Sequence, residues 1–175
     1  SGVLATAELD EQVLALAAPL TKSGYGVYLE KLVNEGELLF DGIEATPIAG
    51  ATLLRPTVHG DARGFFLETW HADRYGEAGI DQPFVQDNHS RSSRGILRGL
   101  HFQTTQPQGK LVRVTSGEVF DVIVDCRADS ASCGQWYGVT LTAENHEQLW
   151  VPPGCAHGFY VLSNSADFLY KCTDY

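Results

Sequence analysis

Polar and apolar residues alternate along most of the chain from Ala51 onward, and this pattern predicts a protein built from short β-strands. Alternation sends successive side chains to opposite faces of a strand, which suits strands that bury one face. The predicted strands are Thr52 to Arg55, Phe65 to Trp70, Leu111 to Thr115, Val119 to Cys126, Trp136 to Leu141, Gln148 to Val151, Gly158 to Leu162 and Asp167 to Cys172. Turns separate them, and one short helix is expected over Ala72 to Ala78. Short strands with few helices between them indicate an all-β antiparallel sandwich or barrel.

The N-terminal segment has a helical period instead. Apolar residues at helical spacing predict a helix over Glu8 to Ala18, and a second short helix is predicted over Val27 to Val33. A glycine-containing turn, Lys22 to Gly26, joins the two. Residues 1–41 are therefore expected to form a helical appendage with a linker, and residues 42–175 the β domain.

The composition excludes some classes of binding partner and indicates the cellular compartment. A formal net charge of −10 argues against binding to nucleic acid or to an anionic membrane surface, because both require clustered Lys and Arg. The four cysteines form no CxxC pair, which is typical of reduced, mostly buried thiols in a cytoplasmic protein. No run is long and apolar enough to span a bilayer.

His101 is the first candidate for chemistry, because its imidazole titrates near neutral pH and lies in the strand-like stretch Arg98 to Gln103. A lone histidine in a strand is more often structural. Arg98 and His101 would point to opposite faces of a regular strand, unless a bend intervenes, and Gly95 and Gly99 permit one.

Three further side chains are candidates for the same site. Lys110 opens a predicted apolar strand, where it is either a solvated strand end or a cation directed into the barrel. His157 follows a cysteine and an alanine near the start of another strand. Tyr170 shares one strand face with Phe168 and Cys172, and its alternative is a core tyrosine with a satisfied hydroxyl.

The histidines do not form the pattern expected of a metal site in a small barrel. The residue two positions after His101 is Gln103, so an HxH pair is missing. His101 and His157 are far apart in sequence and have no evident third ligand, so we expect no bound metal.

Long motifs in the β domain resemble the dTDP-4-dehydrorhamnose 3,5-epimerase family, in collinear order from Gly42 to Tyr175. They are Asp61 to Glu68, Phe84 to Ser90, Gly95 to Gln103, Gln108 to Val114, Gly117 to Val122, Gln148 to Pro152, Ala156 to Phe159 and Phe168 to Lys171. The resemblance implies a metal-free, cupin-type jelly-roll barrel that forms a homodimer. It also implies an isomerase that needs no cofactor and inverts C3 and C5 of a dTDP-4-keto-6-deoxyhexose in dTDP-rhamnose biosynthesis.

The family's functional residues carry over onto matching positions of this sequence. His101 matches the proton acceptor, Tyr170 the proton donor and Lys110 the residue beside the C4 oxygen. The positions that match substrate contacts are Arg63, Glu68, Gln86, Asp87, Asn88, Arg98 and His157. In the family, some of these contacts come from the dimer partner.

The two ends of the chain depart from this family. Residues 1 to about 34 resemble the C-terminal tail of glucose-1-phosphate thymidylyltransferases, which suggests a remnant of a fused protein. The family continues beyond the position of Tyr175, and the carboxylate that orients its base histidine lies in that later part. The chain is therefore expected to be a fragment, with a truncated native protein, or a substitute carboxylate such as Asp121, as the alternatives.

Other functions remain open at this stage. A single-position epimerase, acting at C3 or C5 alone, is a close variant. A catalytically weak or silent dTDP-sugar-binding cupin is an alternative from another class, and a metal-dependent cupin oxygenase is a third, which the absent HxH pair disfavours.

Overall fold

A computed structural model of the chain describes Ala15, Ala18 and residues 40–175. The predicted N-terminal helices fall almost entirely outside these residues. The elements described are β1 (Phe40–Ala45), β2 (Thr52–Pro56), β3 (His59–Asp61), β4 (Gly64–Phe66), α1 (Ala72–Glu77), β5 (Gln86–Ser93), β6 (Leu97–His101), β7 (Lys110–Ser116), β8 (Glu118–Asp125), β9 (Trp136–Thr142), β10 (Gln148–Val151), β11 (Cys155–Val161) and β12 (Ser165–Cys172). The chain divides into two compact units, one of residues 1–41 and 56–71, the other of residues 42–55 and 72–175.

Antiparallel sheets account for nearly all regular structure in the described residues, which confirms the predicted all-β class. One sheet has six strands in the order β1-β2-β10-β7-β12-β5, and another has four in the order β6-β11-β8-β9. In the smaller unit, β3 and β4 form a two-stranded hairpin. The order of the two large sheets, with neighbours far apart in sequence, fits the cupin-type jelly roll that the resemblance implies.

Apolar side chains of both large sheets form one buried core. On β7, alternation turns Val112 and Val114 inward, while Val119 and Ile123 do the same on β8. Side chains of β2, β9, β10, β11 and β12 also belong to the cluster, and Leu141 within it is fully buried. Residues on alternating positions of two sheets thus face each other, as the period of two in the sequence predicts.

Two strands of the six-stranded sheet were not predicted from the apolar pattern. The first is β1, whose Asp41 and Gly42 are typical of a linker. The second is β5, which contains only polar residues from Gln86 to Ser93 and pairs along its full length with β12. Since β5 is an edge strand with few apolar neighbours to cover, it carries no hydrophobic alternation by which sequence reasoning could recognise it.

Smaller differences concern strand ends and thiols. The predicted strand Phe65 to Trp70 is only Gly64–Phe66, and the predicted turn before it contains β3. All four cysteines are free, but Cys126 and Cys133 are exposed, so only Cys155 and Cys172 are buried as predicted.

A buried carboxylate holds the loop that follows β8. Asp125 accepts hydrogen bonds from the Arg127 guanidinium at 2.8 Å and from the hydroxyls of Ser130 at 2.5 Å and Ser132 at 2.6 Å. Arg127 and the two serines together lower the pKa of Asp125 below its usual range, although burial opposes them. This carboxylate adds to the backbone hydrogen bonds of the loop, such as that from Gly134 N–H to the Asp125 carbonyl at 2.8 Å.

Leu141→Ala should reduce the free energy of unfolding by about 2–5 kcal/mol, because it leaves a cavity in the closed core. Chemical denaturation measures this change. Ile43→Ala is the matched control, since the Ile43 side chain is 45% exposed and its truncation should cost little. Equal losses in both variants would contradict the description of the core.

Asp125→Asn should lower the melting temperature at pH 5–7, with a difference from the unmodified protein that shrinks as the pH falls. The pKa of Asp125 is lowered in the folded state, so its stabilisation is complete above the ordinary value of 3.8 and is lost at more acid pH. Thermal melts between pH 2 and pH 7 test this, and a difference that is independent of pH would contradict it.

Candidate active site

An irregularity in β6 turns two candidate residues onto the same face. In the pairing with β11, His101 lies opposite His157 and Arg98 lies opposite Phe159, so three steps on β6 match two on β11. This extra residue is a β-bulge, which re-aims the side chains on either side of it. The bend that the sequence permitted is therefore present, and Arg98 and His101 line one cavity.

Two glycines allow the strands to approach at the bulge. Gly99 has a φ of +114°, and a Cβ there would lie 2.6 Å from the Cα of Gly158. A Cβ on Gly158 would in turn lie 2.6 Å from the carbonyl oxygen of Arg98. Only glycine fits both positions, because any side chain would push β6 away from β11.

The cavity has a volume of about 140 Å³ and lies between the two large sheets. Its lining residues are Ser90, Arg98, His101, Lys110, His157, Gly158, Phe159, Phe168 and Tyr170. Five of these are predicted site residues, and they come from four strands, β6, β7, β11 and β12. Ser90 adds a fifth strand, β5, to the wall. The structure thus brings His101, Lys110 and Tyr170 together.

An aromatic stack forms the apolar part of the lining. The rings of Phe159 and Phe168 are stacked with centroids 4.1 Å apart, and the His157 ring lies 5.9 Å from that of Phe168. Tyr170 continues the same row, 6.1 Å from Phe168, as the alternation along β12 predicts. Because His157 and Tyr170 belong to this row, polar groups adjoin the hydrophobic part of the lining.

Lys110 is half-buried at the start of β7. Burial lowers the pKa of its ammonium group, while the nearby Cys172 and Asp121 oppose that shift. Of the two interpretations of Lys110, a solvated strand end or a cation directed into the barrel, the second agrees with its place in the cavity lining.

Asp121 binds His157, not His101. Both carboxylate oxygens lie near Nε2 of His157, at 2.9 and 3.1 Å, and both side chains are buried. The alternative in which Asp121 orients His101 is thus not realised. Within residues 40–175, the His101 ring has no hydrogen-bond partner.

The predicted residues of β5 divide between its two faces. Gln86 and Asn88 pair with Cys172 and Tyr170, so they lie on the face that also presents Ser90 to the cavity. Asp87 lies on the opposite face, where Lys171 donates to its carboxylate at 2.8 Å.

Arg63 and Glu68 belong to the smaller unit. Arg63 forms a bidentate ion pair with Asp61 at the β3–β4 turn, and this contact lowers the pKa of Asp61. Glu68 follows β4 in the chain. Their roles remain predictions.

Sequence reasoning missed Ser90 as a lining residue. Counting every second residue from Asn88 would have found it, but only once β5 was recognised as a strand. Two further observations concern the described part of the chain: it holds no group of three His, Cys, Asp or Glu side chains arranged for a metal ion. It also contains no helix of the length and apolarity needed to cross a membrane.

Comparison with known proteins agrees with this architecture. The dTDP-4-dehydrorhamnose 3,5-epimerase family profile matches residues 45–175. The epimerase of that name from Pseudomonas aeruginosa is 58% identical over 129 residues, which cover 73% of this chain and 71% of the relative. A Neisseria gonorrhoeae relative of the same name is 55% identical over 130 residues, and the chain spans 40% of its length.

A solved structure shows the same fold. The dTDP-6-deoxy-D-glucose-3,5-epimerase of Legionella pneumophila, crystallised with dTDP-4-keto-L-rhamnose, superposes with a TM-score of 0.74 and 58% sequence identity. The match covers 77% of this chain and 72% of that one. With a matching profile over most of its length and relatives above 50% identity, the chain belongs to the dTDP-4-dehydrorhamnose 3,5-epimerase family.

Proposed function

We propose that the protein is an isomerase that inverts C3 and C5 of a dTDP-4-keto-6-deoxyhexose, the reaction of dTDP-rhamnose biosynthesis. The observation that carries this proposal is the single cavity shared by His101, Lys110 and Tyr170 in a chain of this family. The cavity offers a base, a cation and a phenol around one small volume.

His101 acts as the base in this proposal. The C4 ketone acidifies the hydrogens on C3 and C5, and histidine is the side chain suited to removing such a proton near neutral pH. Its place beside the bulge supports the role, because the ring faces the cavity and is accessible from solvent.

Lys110 stabilises the charge that proton removal creates. The enolate carries its negative charge on the C4 oxygen, and a preorganised ammonium group inside a partly dehydrated site interacts strongly with it. Tyr170 returns a proton from the other side of the sugar, since inversion requires the second proton carrier to lie across the ring from the base.

The remaining predicted residues are proposed as substrate contacts. Arg98 donates its Nε hydrogen to Ser92 at 2.8 Å, which orients a guanidinium suited to a diphosphate. His157, held by Asp121, has a fixed ring at the cavity wall. Arg63, Glu68, Gln86, Asp87 and Asn88 complete the proposed set.

The chain is also proposed to form a homodimer. Exposed apolar side chains cluster on and beside β6, with Ile96 at 45%, Leu97 at 67%, Leu100 at 51% and Phe102 at 50% exposure. A patch of this kind is typical of an interface.

The protein is proposed to be cytoplasmic, because all four of its cysteines are free thiols.

In deuterium oxide, the protein should incorporate deuterium at both C3 and C5 of the 4-keto sugar, as followed by NMR. His101→Asn should slow both exchanges by about 10²–10⁴-fold, because it removes the proton acceptor. His89→Asn is a matched control, since His89 lies on the outer face of β5 and binds Asp167.

The pattern of exchange separates the alternatives. Deuterium at one carbon alone would identify a single-position epimerase. Binding of the dTDP-sugar without exchange at either carbon would instead identify a silent binder and refute the proposal.

Lys110→Gln should reduce kcat by about 10²–10³-fold, with a smaller effect on KM, because the lost charge acts on the enolate and less on the ketone. Exchange at C3 and at C5 should fall together, since the enolates formed at the two carbons both place their negative charge on the same C4 oxygen. Lys110→Arg, which keeps the charge, should retain part of the rate. Unchanged exchange at either carbon in Lys110→Gln would exclude this role.

A further inference from the structure

Three side chains of β5 form an inward row beside β12: Asn88, Ser90 and Ser92. Asn88 donates its amide hydrogen to the Cys172 sulfur at 3.7 Å. Ser92 accepts the Nε hydrogen of Arg98 at 2.8 Å. The Ser90 hydroxyl, between them, is buried and has no hydrogen-bond partner in residues 40–175.

A buried hydroxyl without a partner is unusual, because its desolvation is not compensated. The neighbouring strand β12 supplies no side-chain hydrogen-bond partner at this position. The register partner of Ser90 on β12 is Phe168, whose ring lies in the aromatic stack. Ser90 also lines the cavity that holds His101 and Tyr170. Since a serine hydroxyl can turn about its Cα–Cβ bond toward the cavity, an occupant of that cavity can supply the missing partner.

The size of the cavity indicates which part of the ligand it holds. At about 140 Å³ it is well below the roughly 300–1,000 Å³ of pockets that enclose a whole drug-sized ligand. It suits one sugar ring and leaves the nucleotide outside. An aromatic stack with polar groups at its edge is also the lining that a sugar ring requires, since a sugar presents apolar C–H faces and hydroxyl edges.

We propose that Ser90 is a substrate-binding residue that hydrogen-bonds a hydroxyl group of the hexose and so holds the ring between His101 and Tyr170. This assignment rests on the proposed function for the identity of the ligand. It adds a contact on the sugar itself, distinct from the guanidinium of Arg98. Holding the ring from β5 orients the C–H bonds relative to groups on β6 and β12, and small losses of orientation lower the rate.

The test compares two ligands that differ only in the sugar, dTDP-glucose and dTDP, by titration calorimetry. Ser90→Ala should weaken dTDP-glucose about three- to tenfold, as expected for one lost hydrogen bond, and should leave dTDP affinity within twofold. Ser90→Cys, which keeps most of the volume but is a weak donor, should behave in the same way.

Stability provides an independent readout with the opposite sign. Removing an unpartnered buried hydroxyl should leave the melting temperature of Ser90→Ala unchanged or raise it, whereas a structural serine would lower it. Ser93→Ala is the matched control, because Ser93 is exposed at the end of the same strand, and it should change neither affinity nor melting temperature.

The outcomes separate this proposal from the one on which it rests. Absence of deuterium exchange at both C3 and C5 in the unmodified protein would overturn the proposed function, whereas unmodified protein that binds dTDP-glucose no more tightly than dTDP would overturn the sugar contact of Ser90 alone. If the unmodified protein gains affinity from the sugar, unchanged binding of dTDP-glucose in Ser90→Ala overturns the role of Ser90 alone. Equal weakening of both ligands, or a lowered melting temperature with loss of binding, overturns it as well, because either result assigns Ser90 to the diphosphate or to the fold.

Discussion

The contact between Gly99 on β6 and Gly158 on β11 determines how the cavity is built. Because neither residue has a Cβ, the two backbones approach closely enough for β6 to carry one extra residue opposite β11. That residue converts a regular alternation, in which Arg98 and His101 would face opposite ways, into one in which both line the cavity. A strand of ordinary geometry would turn either the arginine or the histidine away from the cavity.

The cavity places polar chemistry next to the hydrophobic core without exposing that core. Phe168 belongs both to the buried cluster and to the cavity lining, and Tyr170 extends from it on the same strand face. Around these rings, most polar groups are paired: Asp121 with His157, Ser92 with Arg98, and Asn88 with Cys172. Such pairing limits the cost of burying charge and leaves only a few groups available to a ligand.

The edge strand β5 has polar side chains on both faces, so its sequence does not identify it as a strand. Its inward row includes Ser90, which lines the cavity, and its outward row forms ion pairs, Asp87 with Lys171 and Arg91 with Asp167. The two acceptor carboxylates differ in environment, and Arg91 and His89 lower the pKa of Asp167 to about 2. Since neither row is apolar, the hydrophobic signal that marks the other core strands is missing from β5.

The sequence by itself determined the strand-rich class, the inward positions of the core strands and the family resemblance, because alternation and long collinear motifs are local properties of the chain. It also marked His101, Lys110 and Tyr170 as candidates for chemistry. Only the tertiary structure decided that these three share one cavity, that Asp121 binds His157 and not His101, and that the buried Ser90 hydroxyl has no partner among residues 40–175. Each of those facts depends on strand register and on contacts between residues distant in sequence, such as the 36 positions that separate Asp121 from His157, and no local pattern encodes such contacts.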